Sequence, residues 1–158
     1  MKNISEREYL QDIDILKDNL IKYHPNPYNF LTKEKLENEF KALEQSISLR
    51  DFALGIMKLL AKLKDGHTEL CPSTEFLGIK NYPIKMKFFS DGYYLIKTSK
   101  EYERYLGKRV ERINGKDMDE IEEIFSEIIP QENTESMKYY ISSQLKEPVL
   151  CKYLGIND

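Results

Sequence analysis

Asp65-Gly66-His67-Thr68 brings a carboxylate, an imidazole and a hydroxyl into four consecutive residues, directly after a strongly apolar helical run. Histidine has the side chain whose unperturbed pKa lies nearest neutrality, so His67 is a candidate general base. Asp65 would fix its tautomer, and Thr68 would add a hydroxyl to the same site. The structural alternative is a histidine closing a helix end, where the helix dipole favours a positive side chain. A base also needs a nucleophile, and the chain carries no GxSxG, Gly-rich phosphate loop or paired-carboxylate motif.

The other chemistry-bearing residues are dispersed. His24 lies between Tyr23 and Pro25 and reads as structural, because Pro25 and Pro27 account for the segment. His24, His67, Cys71 and Cys151 show no CxxC or HxxxH spacing, so no metal and no other cofactor is expected. A His67–Cys71 dyad fails on geometry. Four residues of extended strand separate Cα atoms by about 13 Å. The acidic run Asp119-Glu120-Ile121-Glu122-Glu123 reads as a solvated helix start.

These residues hang on elements that the hydrophobic pattern sketches. Ser5 with Glu8 reads as a capping box, followed by the stripe Leu10, Ile13, Leu16 and Leu20. His24-Pro25-Asn26-Pro27-Tyr28 stops that helix. Thr32 is the predicted N-cap of a second helix bearing Leu36, Phe40, Leu43 and Ile47. Ser48 with Asp51 opens a third, with Phe52, Ile56, Leu59, Leu60 and Leu63 inward and Gly66 closing it through positive φ. From His67 the period shortens to two, with Thr68 opening extended chain. The run 82–88 alternates as a half-buried strand, Ser90-Asp91-Gly92 turns it, and 93–98 returns. Arg109 to Ile113 runs into the turn pair Asn114-Gly115. Asp117 with Glu120 and then Asn133 cap two more helices, with Ile121, Ile124, Phe125 and Ile128, then Met137, Tyr140, Ile141 and Leu145, inward. Pro148 breaks the last helix. Exposed apolar area near Val149 to Ile156 would point to a lost partner. The fold class is α+β, in three parts: 1–66 helical, 67–118 a small, mainly antiparallel sheet, and 119–158 a helical extension.

A length of 158 residues, 41% hydrophobic and 32% charged, suits a globular chain with a sizeable core. The net charge of −3, with both signs interleaved, points to neither nucleic acid nor an anionic membrane surface. The amino terminus turns polar at once and the two cysteines form no framework, so a reduced, cytoplasmic setting is expected.

Tyr23-His24-Pro25-Asn26-Pro27-Tyr28 followed by Asp65-Gly66-His67-Thr68 resembles the amino-terminal part of S41-type serine peptidases, the tail-specific protease and tricorn-core group. Gly107-Lys108-Arg109-Val110-Glu111-Arg112-Ile113-Asn114-Gly115-Lys116 is similar to the strand-turn motif of the PDZ-like module that many of them carry. The resemblance implies that the small sheet is PDZ-like. It also implies a base role for His67 toward a serine supplied later in the chain, and a peptide or protein as substrate. The chain stops at Asp158, before the α/β region that carries the family's nucleophile and oxyanion hole, so this polypeptide alone is expected to show no peptidase turnover. The missing catalytic domain would be its partner. A non-catalytic peptide- or protein-binding module is the alternative, and the GLGF-like carboxylate loop of familiar PDZ domains is absent.

Overall fold

The computed structural model describes residues 6–46, 48–70 and 81–156. The Ser5 capping box, Ile47, Cys71 and the side chain of Val149 fall outside the described positions. By contacts the chain divides into two units. One holds the residues up to 71 together with Glu127–Glu132, the other Pro72–Ser126 and Asn133–Asp158. The carboxyl-terminal helices share a unit with the sheet.

The first unit is helical: α1 (Glu6–Tyr23), α2 (Lys33–Leu43) and α3 (Leu49–Ala61). The Thr32 hydroxyl accepts the Lys35 amide at 3.3 Å, and Ser48 accepts that of Asp51 at 3.1 Å, so both helices begin where local capping chemistry directs. Ile13, Leu20, Leu36, Phe40, Leu43, Phe52, Ile56, Leu59, Leu60 and Leu63 form one buried cluster. The stripe of α1 differs from expectation by one residue. Leu10 is exposed, and Tyr9 packs edge-on against Phe52 with ring centroids 5.0 Å apart. The spacing explains it: Tyr9, Ile13, Leu16 and Leu20 recur every four then three residues, which keeps one helix face toward the core.

The exit from α3 corrects a second expectation. Lys62, Leu63 and Lys64 donate their amides three residues back, tightening the last turn, and Lys64 takes the left-handed conformation at φ 53°. Gly66 does not have positive φ. The Thr68 amide then closes a turn onto the Asp65 carbonyl at 3.1 Å, so Asp65 to Thr68 is a turn rather than the opening of a strand.

In the second unit β1 (Ile84–Phe89) and β2 (Gly92–Thr98) pair antiparallel through the predicted hairpin. Lys85 faces Lys97 while Met86 faces Leu95, so Ile96 is the extra residue of a bulge. The segment 107–110 runs back along β2, Gly107 donating to Leu95 at 2.8 Å and Val110 to Tyr93 at 2.7 Å. A short ladder of β3 (Arg112–Ile113) and β4 (Lys116–Asp117) closes on Asn114 and Gly115, both with positive φ. Then come α4 (Met118–Ser126), α5 (Thr134–Gln144) and α6 (Pro148–Tyr153). Asp117 and Glu120 exchange amide bonds at 2.9 and 2.8 Å, a complete capping box. Asn133 caps α5 by accepting the Ser136 amide at 2.9 Å. Pro148 does more than break a helix, because it starts α6 at a position where its missing N–H costs nothing. The architecture is α+β, with Met86, Tyr93, Ile121, Phe125, Met137, Ile141 and Leu145 among the buried positions of this unit.

Candidate functional site

The Asp65 turn is built by its own carboxylate. One oxygen accepts the His67 amide at 3.0 Å, and the other accepts the Thr68 hydroxyl at 2.7 Å. The His67 amide first, then the Thr68 hydroxyl, hold Asp65 below the usual carboxylate range against the opposing effect of partial burial. Thr68 therefore serves Asp65.

His67 stands outward with 90% of its side chain exposed. Its Nδ1 lies 3.5 Å from Asp65 Oδ1 and 3.3 Å from Glu132 Oε1. Glu132 comes from the 127–132 segment that packs with the helical unit, and sequence reasoning missed it. Nothing in its local context marks it, since only the fold brings it to residue 67.

His24, read as structural, faces the same carboxylate from the other side. Its side chain is 9% exposed, its Nδ1 accepts the Asn26 amide at 3.1 Å, and its Nε2 lies 3.2 Å from Asp65 Oδ2. That approach has the distance of an ion pair without the alignment of a hydrogen bond, so Nε2 remains a buried nitrogen with no aligned partner. Asp65 thus sits between two imidazoles, one inside and one outside. With the Nδ1 of His67 turned to carboxylates, the free nitrogen of its ring is Nε2, the orientation a general base uses. Asp65, His67 and Glu132 also place three donor atoms within 4.8 Å of one another, a grouping that could hold a cation and that the scattered spacing did not suggest.

Cys151 offers no nucleophile. Its thiol is 2% exposed, donates to the Leu145 carbonyl at 3.6 Å, and is pushed up to about 11, by burial first and by Glu147 second. Leu150 and Ile156 are buried as well, so Leu150, Cys151 and Ile156 present no apolar surface that would point to a lost partner.

Apolar surface lies elsewhere in the second unit. A groove of about 990 Å³ is bounded by β1, the end of β2 and α5, with Ile84, Ile96 and Tyr139 in its walls. Lys85, Lys87, Lys97 and Lys146 line it against one acid, Glu135. Beyond β2, β1 has no strand partner among the described residues. Nearby, the buried Tyr93 donates to Glu122 at 2.9 Å, and Lys138 lies 3.8 Å from Glu122 and over the Phe88 ring. Burial first, then Glu122, pushes the Tyr93 phenol up, so it acts as a donor and packing group.

Among the described residues no helix is long and apolar enough to cross a membrane. No protein-family model, curated protein or solved structure matches the chain.

Proposed function

We propose that this chain is the peptide-receiving front portion of an S41-like serine peptidase, with β1 and α5 acting as a PDZ-like groove that guides substrate. The observation that carries the reading is the groove itself. It combines a strand edge with no strand partner among the described residues, a helix wall, apolar positions for alternate side chains and a fourfold excess of lysine over acid. An extended peptide added beside β1 would gain main-chain hydrogen bonds, and the lysines would favour acidic residues on it. Fluorescence polarisation with a labelled extended peptide rich in Glu and Val tests this. Saturable binding that weakens at least tenfold in Lys85→Glu/Lys87→Glu and in Ile96→Glu supports it. Absence of binding, or equal binding by those variants and by a Lys-rich peptide, would remove it.

A second reading, favoured by the exposed His67 ring with carboxylates at Nδ1, gives that residue the base role toward a serine outside this chain. The isolated chain should then neither hydrolyse peptides nor react with a fluorophosphonate. If the reading frame continues beyond Asp158 into a serine-bearing domain, His67→Gln in the longer protein should lower kcat by about 10²–10⁴-fold with KM little changed. An unchanged kcat would exclude the role.

A further inference from the structure

We propose that Asp65, His67 and Glu132 bind one divalent transition-metal ion, with His24 as the outer partner that holds Asp65 in place. One imidazole nitrogen and two carboxylate oxygens are a donor set suited to Zn²⁺ and its first-row neighbours, and three protein ligands leave a fourth position for water. The spacing agrees. Metal–ligand bonds of about 2.0–2.1 Å in a tetrahedron set neighbouring donors about 3.3–3.4 Å apart. Two of the three separations match: His67 Nδ1 lies 3.3 Å from Glu132 Oε1 and 3.5 Å from Asp65 Oδ1, while the three ligand atoms fall within 4.8 Å of one another, so the two carboxylates would close in on a bound ion.

His24 supplies an independent observation. Because Nδ1 accepts the Asn26 amide, the proton of the neutral ring belongs on Nε2. That nitrogen is nine-tenths buried, lacks an aligned acceptor, and lies 3.2 Å from Asp65 Oδ2. A buried donor left in this state is costly. A small rotation of the Asp65 carboxylate, bringing Oδ1 onto a cation, would present Oδ2 to the waiting N–H. Ligating carboxylates are commonly oriented by such outer hydrogen bonds, and losing one weakens metal binding by about 10–100-fold. The His67 amide and Thr68 hydroxyl already hold the same carboxylate close to both imidazoles.

Metal at Nδ1 would place the ring proton on Nε2, so a metal-bound His67 is a donor and not a base. The inference therefore goes beyond the peptide-binding reading and competes with the base reading.

Calorimetric titration of Zn²⁺ alone into the chelator-treated chain tests it, repeated in a Cys71→Ser background. The expected result is one ion per chain in both backgrounds. His67→Ala and Glu132→Gln, both at exposed positions, should each weaken uptake at least tenfold, and His24→Leu about tenfold. Co²⁺ should give visible tetrahedral absorption bands that His67→Ala abolishes, a readout that remains if His24→Leu fails to fold. No uptake, uptake lost with Cys71→Ser, or affinity unchanged in the His67→Ala/Glu132→Gln double variant would overturn the site. Any of these leaves the peptide groove and the base reading standing.

Discussion

At the entrance to α4, Asp117 and Glu120 spend their carboxylates on each other's backbone amides, within four residues of chain. At the exit from α3, Asp65 serves the His67 amide and the Thr68 hydroxyl while His24 approaches from 41 residues upstream, and His67 in turn faces Glu132 from 65 residues downstream. The first turn is closed on itself: each residue's amide is answered by the other's carboxylate. The second is open, with one imidazole outside and one unsatisfied nitrogen inside. A helix boundary needs only the first arrangement. The second carries more polar groups than folding requires, which is why candidate chemistry is placed there.

The contrast can be broken most forcefully through what anchors each turn. Leu63 is 3% exposed beside the α3 exit, and Ile121 is 0% exposed inside α4. Leu63→Ala and Ile121→Ala should each cost about 2–5 kcal/mol in urea denaturation. A loss below about 1 kcal/mol for either would show that its turn is not fastened to a core. Next in size are the carboxylates. Asp65→Ala should cost about 1–3 kcal/mol, because the His67 amide and the part-buried Thr68 hydroxyl both lose a charged acceptor, and Asp117→Ala about 1 kcal/mol, the usual value of an N-cap. Equal losses in the two variants would erase the distinction between open and closed turns.

The glycines sharpen the comparison further. Gly115 has φ 85°, so Gly115→Ala should lose about 1–2 kcal/mol to left-handed strain. Gly66 has ordinary φ and a built Cβ would meet Glu132 no closer than 3.8 Å, so Gly66→Ala should stay within about 0.5 kcal/mol. Thermal melts that rank the two in reverse would contradict the backbone described here. The smallest effect is on pH dependence. Asp65 is held below its ordinary value of 3.8 when folded, so its contribution is complete above that value and is lost as pH falls through the lower, folded pKa. Wild type should therefore lose stability more steeply than Asp65→Asn below about pH 4, with the two curves parallel near neutrality. Parallel curves through the acid range would show that the carboxylate is not specially stabilised.

The same contrast explains what could be read in advance. Thr32, Ser48, Asn133, the Asp117–Glu120 box and Asn114-Gly115 all complete their interactions within about four residues, so residue type and spacing specify them. The sequence offered Asp65 and Thr68 as separate supports for His67; that the Thr68 hydroxyl instead donates to the Asp65 carboxylate is set by the turn geometry. Gly66 misled because the turn residues 62–64 tightened first, and Lys64 took the left-handed position. Leu10 gave way to Tyr9 once Phe52 of another helix decided which face of α1 was covered. His24 and Glu132 reach the site only through tertiary structure, and no local pattern announces such partners. The groove depends on where α5 packs against β1, roughly 50 residues apart in the chain, and so was equally invisible.

The lysines on β1 have a consequence for behaviour at high concentration. A strand edge without a strand partner is a template for edge-to-edge association of identical molecules. Lys85 and Lys87 alternate with Met86 and Phe88 along that strand, and both are exposed. Two molecules approaching by this border would bring like charges together, so crowding alone should not drive them into fibrils. Masking those amines chemically would lift the repulsion and turn the same border into a self-assembly hazard.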